Sequence, residues 1–377
     1  MSARGTGLAL AALALGALPR IAVAQANAPG AVAAYAGVEA RGVNFASGLG
    51  VKSVSEFAIP FAVTWSASPR LAFDLGGRYA SATRTDSLGS SSLAGLTDIQ
   101  LRGVYQLVPD IAVFTVSANL PTGKARYTPD ELLVAGAIAS DLLPYPVANF
   151  SSGFNLTSGV ALAVPVGGWA LGLAGSYRLN GNFTPLADTS ASYKAGGEFR
   201  LRVGADKILG QSRLSLGFTY SSFGEDQFAS SPIFQSGRRY ITQLSWAFPI
   251  GNVGLTVYAW DLYRAAGSQL ISGGILTPKR NVFTAGAAGS VQIGPSVLRP
   301  VVEFRSFTLG TSQLAGAGGL LSLAARYEFP VGGRFTLLPS VGFDSGHENV
   351  LAADGNPSAQ SVSLTGWRAG LMVRTHM

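Results

Sequence analysis

Val51-Lys52-Ser53-Val54-Ser55-Glu56-Phe57-Ala58-Ile59-Pro60-Phe61-Ala62-Val63-Thr64-Trp65-Ser66 is the stretch that decides the fold. Its odd positions carry Val51, Phe57, Ile59, Phe61, Val63 and Trp65, and its even positions carry Lys52, Glu56, Thr64 and Ser66. A period of two puts those sets on opposite faces of a β-strand. The pattern recurs along the chain. Leu71, Phe73, Leu75 and Tyr79 alternate with Asp74 and Arg78. Phe199, Leu201 and Val203 alternate with Glu198, Arg200 and Arg202, and Leu321, Leu323, Tyr327 and Phe329 with Ser322, Arg326 and Glu328. The segment 253–264 mixes apolar residues on both faces and predicts a strand whose inner face is partly apolar.

Composition narrows what such strands can build. Hydrophobic residues make up 47% of the chain and charged residues only 12%, yet no mature segment runs to the 18 or more apolar residues of a membrane helix. Apolar character spread by alternation, with 48 glycines and 10% aromatics, suits a transmembrane β-barrel with one face toward lipid and one toward a polar lumen. A soluble β-sandwich also alternates. Aromatics near strand ends, among them Trp65, Tyr105, Trp169, Tyr220, Trp246, Tyr327 and Trp367, favour the membrane because they match interfacial girdles.

The N-terminus predicts export. Arg4, the apolar run 8–18 and Ala22-Val23-Ala24 form a secretory signal cut after Ala24. Residues 25–34 then form an N-terminal periplasmic segment, and 35–377 the barrel. Losing Arg4 and Arg20 lowers the net charge from +7 to +5, with no basic cluster of the kind that binds nucleic acid. The chain has no cysteine, so disulfides and thiolate chemistry are excluded.

Turns set the direction. Short connections fall at 67–69, 109–110, 166–168, 208–210, 249–251, 294–295 and 331–333. Longer polar stretches fall near 82–93, 121–150, 181–193, 224–236, 265–277, 309–317 and 345–359. Such barrels have short periplasmic turns and longer external loops. Both chain ends then lie in the periplasm if 35–45 is a strand, which makes sixteen antiparallel strands in up-and-down order. Fourteen is the alternative if 35–45 lies in the lumen. The last strand, 362–374, carries Trp367 as its final aromatic.

Gly95-Leu96-Thr97-Asp98-Ile99-Gln100-Leu101-Arg102-Gly103-Val104-Tyr105, followed by Asn119-Leu120-Pro121-Thr122-Gly123-Lys124, resembles the outer-membrane protein family of the phenol meta-degradation pathway. Thr97 and Val104 depart from that family's usual glycine and lysine. The resemblance covers about thirty residues. It implies kinship with the long-chain fatty-acid transporter superfamily and uptake of aromatic or other apolar molecules. That superfamily places an N-terminal hatch in the barrel, and the ten residues before Tyr35 leave little room for one.

Function is expected in loop 121–150. Thr128-Pro129-Asp130-Glu131 reads as a helix start, with Thr128 as cap, Pro129 in the first turn and Glu131 completing a capping box. Leu132, Leu133, Val134, Ala137 and Ile138 make the helix apolar, and it is expected to end near Leu143 before Pro144 and Pro146. As the third external loop, it is a candidate constriction, gate or substrate-landing helix, with a simple plug as the other reading. Arg78, Arg102, Arg200, Arg202, Arg299, Glu303, Arg305 and Arg326 are candidate lumen charges. They could make an anion-favouring lumen or a paired network that fills it.

No catalytic residue, metal site or cofactor is expected. Asp344-Ser345-Gly346-His347-Glu348 superficially offers a triad in a polar loop, but a triad is defined by geometry rather than by neighbours in sequence. The expected function is a channel or transporter for passive uptake of small hydrophobic or aromatic compounds across a bacterial outer membrane. The alternative is a structural or partner-binding barrel with a filled lumen. Expected partners are outer-membrane lipid and a small-molecule substrate, with no nucleic acid. Partner proteins and oligomeric state are left open.

Overall fold

A computed structural model describes residues 29–271, 277–352 and 356–376. The expected signal sequence and its cleavage site lie outside them. Sixteen antiparallel strands close into one barrel. They are β1 (Val32–Phe45), β2 (Val51–Ser68), β3 (Leu71–Asp86), β4 (Ser90–Leu96 and Ile99–Val108, broken by a two-residue kink) and β5 (Ala112–Leu120). The wall continues with β6 (Asn155–Val166), β7 (Trp169–Asn180), β8 (Glu198–Leu209), β9 (Ser212–Phe223), β10 (Arg239–Ile250) and β11 (Val253–Arg264). It ends with β12 (Lys279–Ile293), β13 (Ser296–Gly310), β14 (Ala315–Val331), β15 (Phe335–Leu351) and β16 (Pro357–His376). β16 pairs with β1 from Ala33↔His376 to Phe45↔Leu364 and seals the cylinder, so no sheet edge is left open.

The alternation sorts the two surfaces as expected. On β2, Phe57, Ile59, Val63 and Trp65 are exposed outward, while Val54, Glu56, Ala58 and Thr64 are buried inward. Two aromatic belts mark the rims. Trp65 stacks on Phe73 (5.8 Å) beside a short turn, and Tyr220, Tyr240 and Tyr263 form a row toward the long-loop end. Among the described residues no helix is long and apolar enough to cross a membrane, so strands do the spanning. Val203, midway along β8 and 44% exposed, faces the lipid. Val203→Arg is expected to destabilise the barrel by about 2–4 kcal/mol, measured by urea titration of the folded protein in lipid. An unchanged midpoint would mean that this face does not meet lipid.

The structure corrects four boundaries. β1 begins at Val32, not Tyr35, and so takes up part of the expected periplasmic segment. The polar stretch 82–93 is mostly wall: β3 runs to Asp86 and β4 starts at Ser90. Hydroxyl pairs Thr83–Ser92 and Thr85–Ser90, each 3.0 Å apart, stitch that extension. Likewise, 309–317 and 345–359 shrink to short connections between β13 and β14 and between β15 and β16. Polarity marks where a strand leaves the lipid; it does not break the backbone ladder.

Candidate functional site

The connection between β5 and β6, the third external loop, turns into the barrel instead of covering it. The kink in β4 at Thr97-Asp98 is its root. The Asp98 carboxylate accepts hydrogen bonds from Gly123 N (3.1 Å) near the loop's start and Ser152 N (3.0 Å) near its end. Thr122 Oγ1 accepts from Ile99 N (2.9 Å). A Cβ on Gly123 would lie 2.2 Å from the Phe150 carbonyl oxygen, so only glycine permits this approach. The two segments that resemble the phenol-pathway family therefore meet in space and clasp the loop at both ends.

The helix α1 (Pro129–Ile138) follows the clasp. Thr128 Oγ1 accepts from Glu131 N (3.4 Å), and the Glu131 carboxylate accepts from Thr128 N (3.0 Å), which completes the capping box. Glu131 also pairs with Lys124. Burial alone would raise its carboxyl, but Lys124 and Thr128 together hold it below the ordinary carboxylate value. The helix stops at Ile138, short of the expected Leu143. Ser140 Oγ accepts from Leu142 N (3.2 Å) and Leu143 N (3.1 Å), and this local turn replaces the next helical hydrogen bonds.

One face of α1 is packed and the other is open. Val134 and Ile138 are buried against the inner wall, where they join Leu142, Leu143, Tyr145, Val147 and Phe150. The wall meets them with Val43, Val54, Ala80, Ala82, Leu93, Leu320 and Leu364. These inward positions are apolar because they face the loop rather than water. Leu132 and Leu133 lie on the other side and remain exposed, with Ala137 only partly buried.

Polar ties fix the descending limb of the loop. Arg41 donates to the Pro144 carbonyl (2.6 Å) and to Asp344 (2.7 Å), with both side chains almost wholly buried. Ser322 donates to the other Asp344 oxygen (2.5 Å). Arg78 donates to the Pro146 carbonyl, Val147 N donates to Glu56 (2.7 Å), and Arg305 donates to the Leu142 carbonyl (3.3 Å). Asp141 reaches across to Arg280 on β12 (2.5 Å). The loop thus fills the upper lumen against β1–β4 and β14–β16. Opposite it stand the inner faces of β7–β12. Beneath Pro144-Tyr145-Pro146, toward the short turns, lies a vestibule of about 1110 Å³.

The expected lumen charges all lie on the inner face, but most are paired. Arg102 donates to Asp74 (2.6 Å), Arg200 to Glu198 (2.9 Å), Arg202 to Gln243 (3.0 Å) and Arg305 to Glu303 (3.2 Å). Arg299 and Arg326 converge on Glu328 (2.8 and 2.7 Å). Glu303 also accepts from Tyr258 (2.9 Å). Sequence reading missed Arg178, Arg264, Arg280, Asp141 and the Asp344 anchor. The alternation of Arg178 with outward Tyr177 and Leu179 could have signalled the first. Arg264 and Arg280 flank an external loop, which hid their inward parity.

The sequence matches no family model and no curated protein. Among solved structures it is similar to an outer-membrane-expressed OmpT of Vibrio cholerae (TM-score 0.44, 8% identity, 93% of this chain and 99% of that one). It is similar to the CymD monoaromatic hydrocarbon channel (TM-score 0.44, 11% identity, 93% and 89%). An outer-membrane channel from Pseudomonas putida F1 gives a TM-score of 0.39 at 12% identity, over 96% and 97% of the two chains.

A triad at 344–348 does not form. The segment lies on β15 rather than in a polar loop, and its alternation sends Asp344 inward and Ser345 and His347 to the opposite face. Asp344 is already committed to Arg41 and Ser322. Among the described residues no group of three or more His, Cys, Asp or Glu side chains could hold a metal ion.

Proposed function

We propose that this protein is a passive channel for small hydrophobic or aromatic solutes in a bacterial outer membrane, narrowed by its third external loop. The observation that carries the reading is the loop itself. It is clasped at Asp98, packed against β1–β4 and β14–β16, and tied at Arg41, Arg78, Arg280 and Arg305, so its contacts run from β12 round to β4. A pure plug would be expected to engage the wall all round. Here Leu132 and Leu133, on the free face of α1, stay exposed, and a wide vestibule opens below Pro144-Tyr145-Pro146. Leu262, Trp260 and Ile241 supply apolar surface on the facing wall. A solute with an aromatic body would slide between two apolar surfaces while the ion-paired arginines hold the wall in shape.

The competing reading is a filled, structural barrel, and the apolar core under the loop is what favours it. Flux decides between them. Liposomes bearing the mature protein are expected to take up phenol-sized solutes faster than empty liposomes, with a size limit set by the loop. Uptake equal to that of empty liposomes would support the filled barrel.

A further inference from the structure

The inner wall opposite the loop carries a line of arginines in register. Arg200 pairs with Ser221, Ser221 with Arg239, Arg239 with Arg264 and Arg264 with Arg280, so the row crosses β8 to β12 in register. Adjacent strands are about 4.8 Å apart, which brings Arg239, Arg264 and Arg280 side by side on consecutive strands. Arg178 on β7 flanks the row beside Glu198. Five guanidinium groups thus face two carboxylates. Glu198 is shared by Arg200 (2.9 Å) and Arg239 (2.5 Å), and Asp141 of the loop takes Arg280 (2.5 Å). Arg178 and Arg264 form no ion pair among the described residues; Arg264 lies 5.9 Å from the Phe223 ring.

Like charges directly opposite across a ladder repel. Lower in the lumen Arg299 also stands opposite Arg326, but both share Glu328, and Arg213 is set on Asp206. Along the row at β8 to β12 the carboxylates are fewer, which leaves a positive excess whose last arginine meets the loop at Asp141. Two residues further along β10 and β11, on the same inward face, come Ile241 and Leu262, which pair with each other. Trp260 follows, its ring under Arg305 at 5.6 Å. The step from the arginine row to this apolar shelf is about 7 Å along the strands, a distance that a carboxylate carrying one ring spans.

We infer that the arginine row and the shelf below it form a binding site for small aromatic carboxylates. Guanidinium groups bind carboxylates through two parallel hydrogen bonds, and Arg264 and Arg178 are the groups with capacity to spare. The carboxylate docks on Arg264, and its ring lies on Leu262, Ile241 and Trp260, while Arg178, four strands away, adds to the positive field. Rings of arginine also favour anions in a conducting pore. This inference rests on the channel reading and narrows its solute to one with a negative end.

Benzoate is the probe, with acetate and benzyl alcohol as the ring-less and charge-less comparisons. In calorimetry on the folded barrel in detergent, benzoate is expected to bind and the two comparisons to bind at least about tenfold more weakly, since each loses one half of the contact. Arg178→Gln with Arg264→Gln is expected to weaken benzoate by about tenfold or more. These two arginines leave no carboxylate unpaired when removed, so folding is spared. Leu262→Ser is expected to bring benzoate down toward acetate. In bilayers under a KCl gradient, the reversal potential is expected to show chloride preference that falls in the double arginine variant. Benzoate binding without any current would keep the site and refute the channel. Current without benzoate binding, or benzoate binding equal to acetate, would refute the site and keep the channel.

Discussion

Arg41→Met is expected to free the descending limb of the third loop and to destabilise the whole barrel. Arg41 is 2% exposed and its partner Asp344 is 0% exposed. Methionine keeps much of the volume but removes the cation, leaving a buried carboxylate with Ser322 and the more distant Arg368 at 3.6 Å. Breaking one side of a buried pair costs about 3–5 kcal/mol, and Arg368 should hold the loss to the lower end of that range. The same change strips the Pro144 carbonyl of its donor. Urea titration followed by tryptophan fluorescence should show the lower midpoint. A variant as stable as the parent would mean that the pair does not anchor the loop. Asp344→Asn offers the reciprocal test: it strands Arg41 in the same buried place and should lose a similar amount.

Removing 128–143 is expected to have the larger effect on permeation. The deletion takes out α1, Asp141 and Leu142, and with them the contact to Arg280 and Arg305. The clasp at Asp98, Gly123 and Ser152 lies outside the deleted span, so the wall should still close. Inward Val54, Ala82, Leu93, Leu320 and Leu364 then lose their cover. That exposes apolar surface to water, at about 25 cal/mol per Å², so the barrel should lose stability while its lumen widens. Flux of solutes too large for the parent is the readout. Equal size limits in the two proteins would mean that the loop is not the constriction.

Much of the fold could be read from the residues because a membrane barrel imposes a strict code. Each strand must show lipid one face and the lumen the other, so parity alone places Phe57 outside and Glu56 inside. Seven short turns join fourteen strands and 362–374 adds a fifteenth, so the requirement that both ends return to the same side calls for one more, which β1 at Val32–Phe45 supplies. The helix start was equally readable, since Thr128, Pro129 and Glu131 act within one turn. Its end was not, because Ser140 competes through a side-chain hydrogen bond that periodicity does not register. The external loops are shorter than polarity suggests for a related reason: Thr83–Thr85 and Ser90–Ser92 are polar yet paired as strand.

The site was only half readable. Inward arginines follow from alternation, but their partners do not. Arg41 and Asp344 are 303 positions apart and meet only because β1 and β15 both flank β16. Arg280 finds Asp141 because the loop folds inward along the wall as far as β12 and β13. The motif at 95–105 and 119–124 could be quoted as a resemblance, but its physical role as a clasp appears only when Asp98 and Gly123 are seen together.

Single-channel recording of the mature protein and of the 128–143 deletion in planar bilayers tests the central claim most directly. Discrete current steps are expected for the parent and larger steps for the deletion. Silence from both, with each shown to be folded, would contradict that claim.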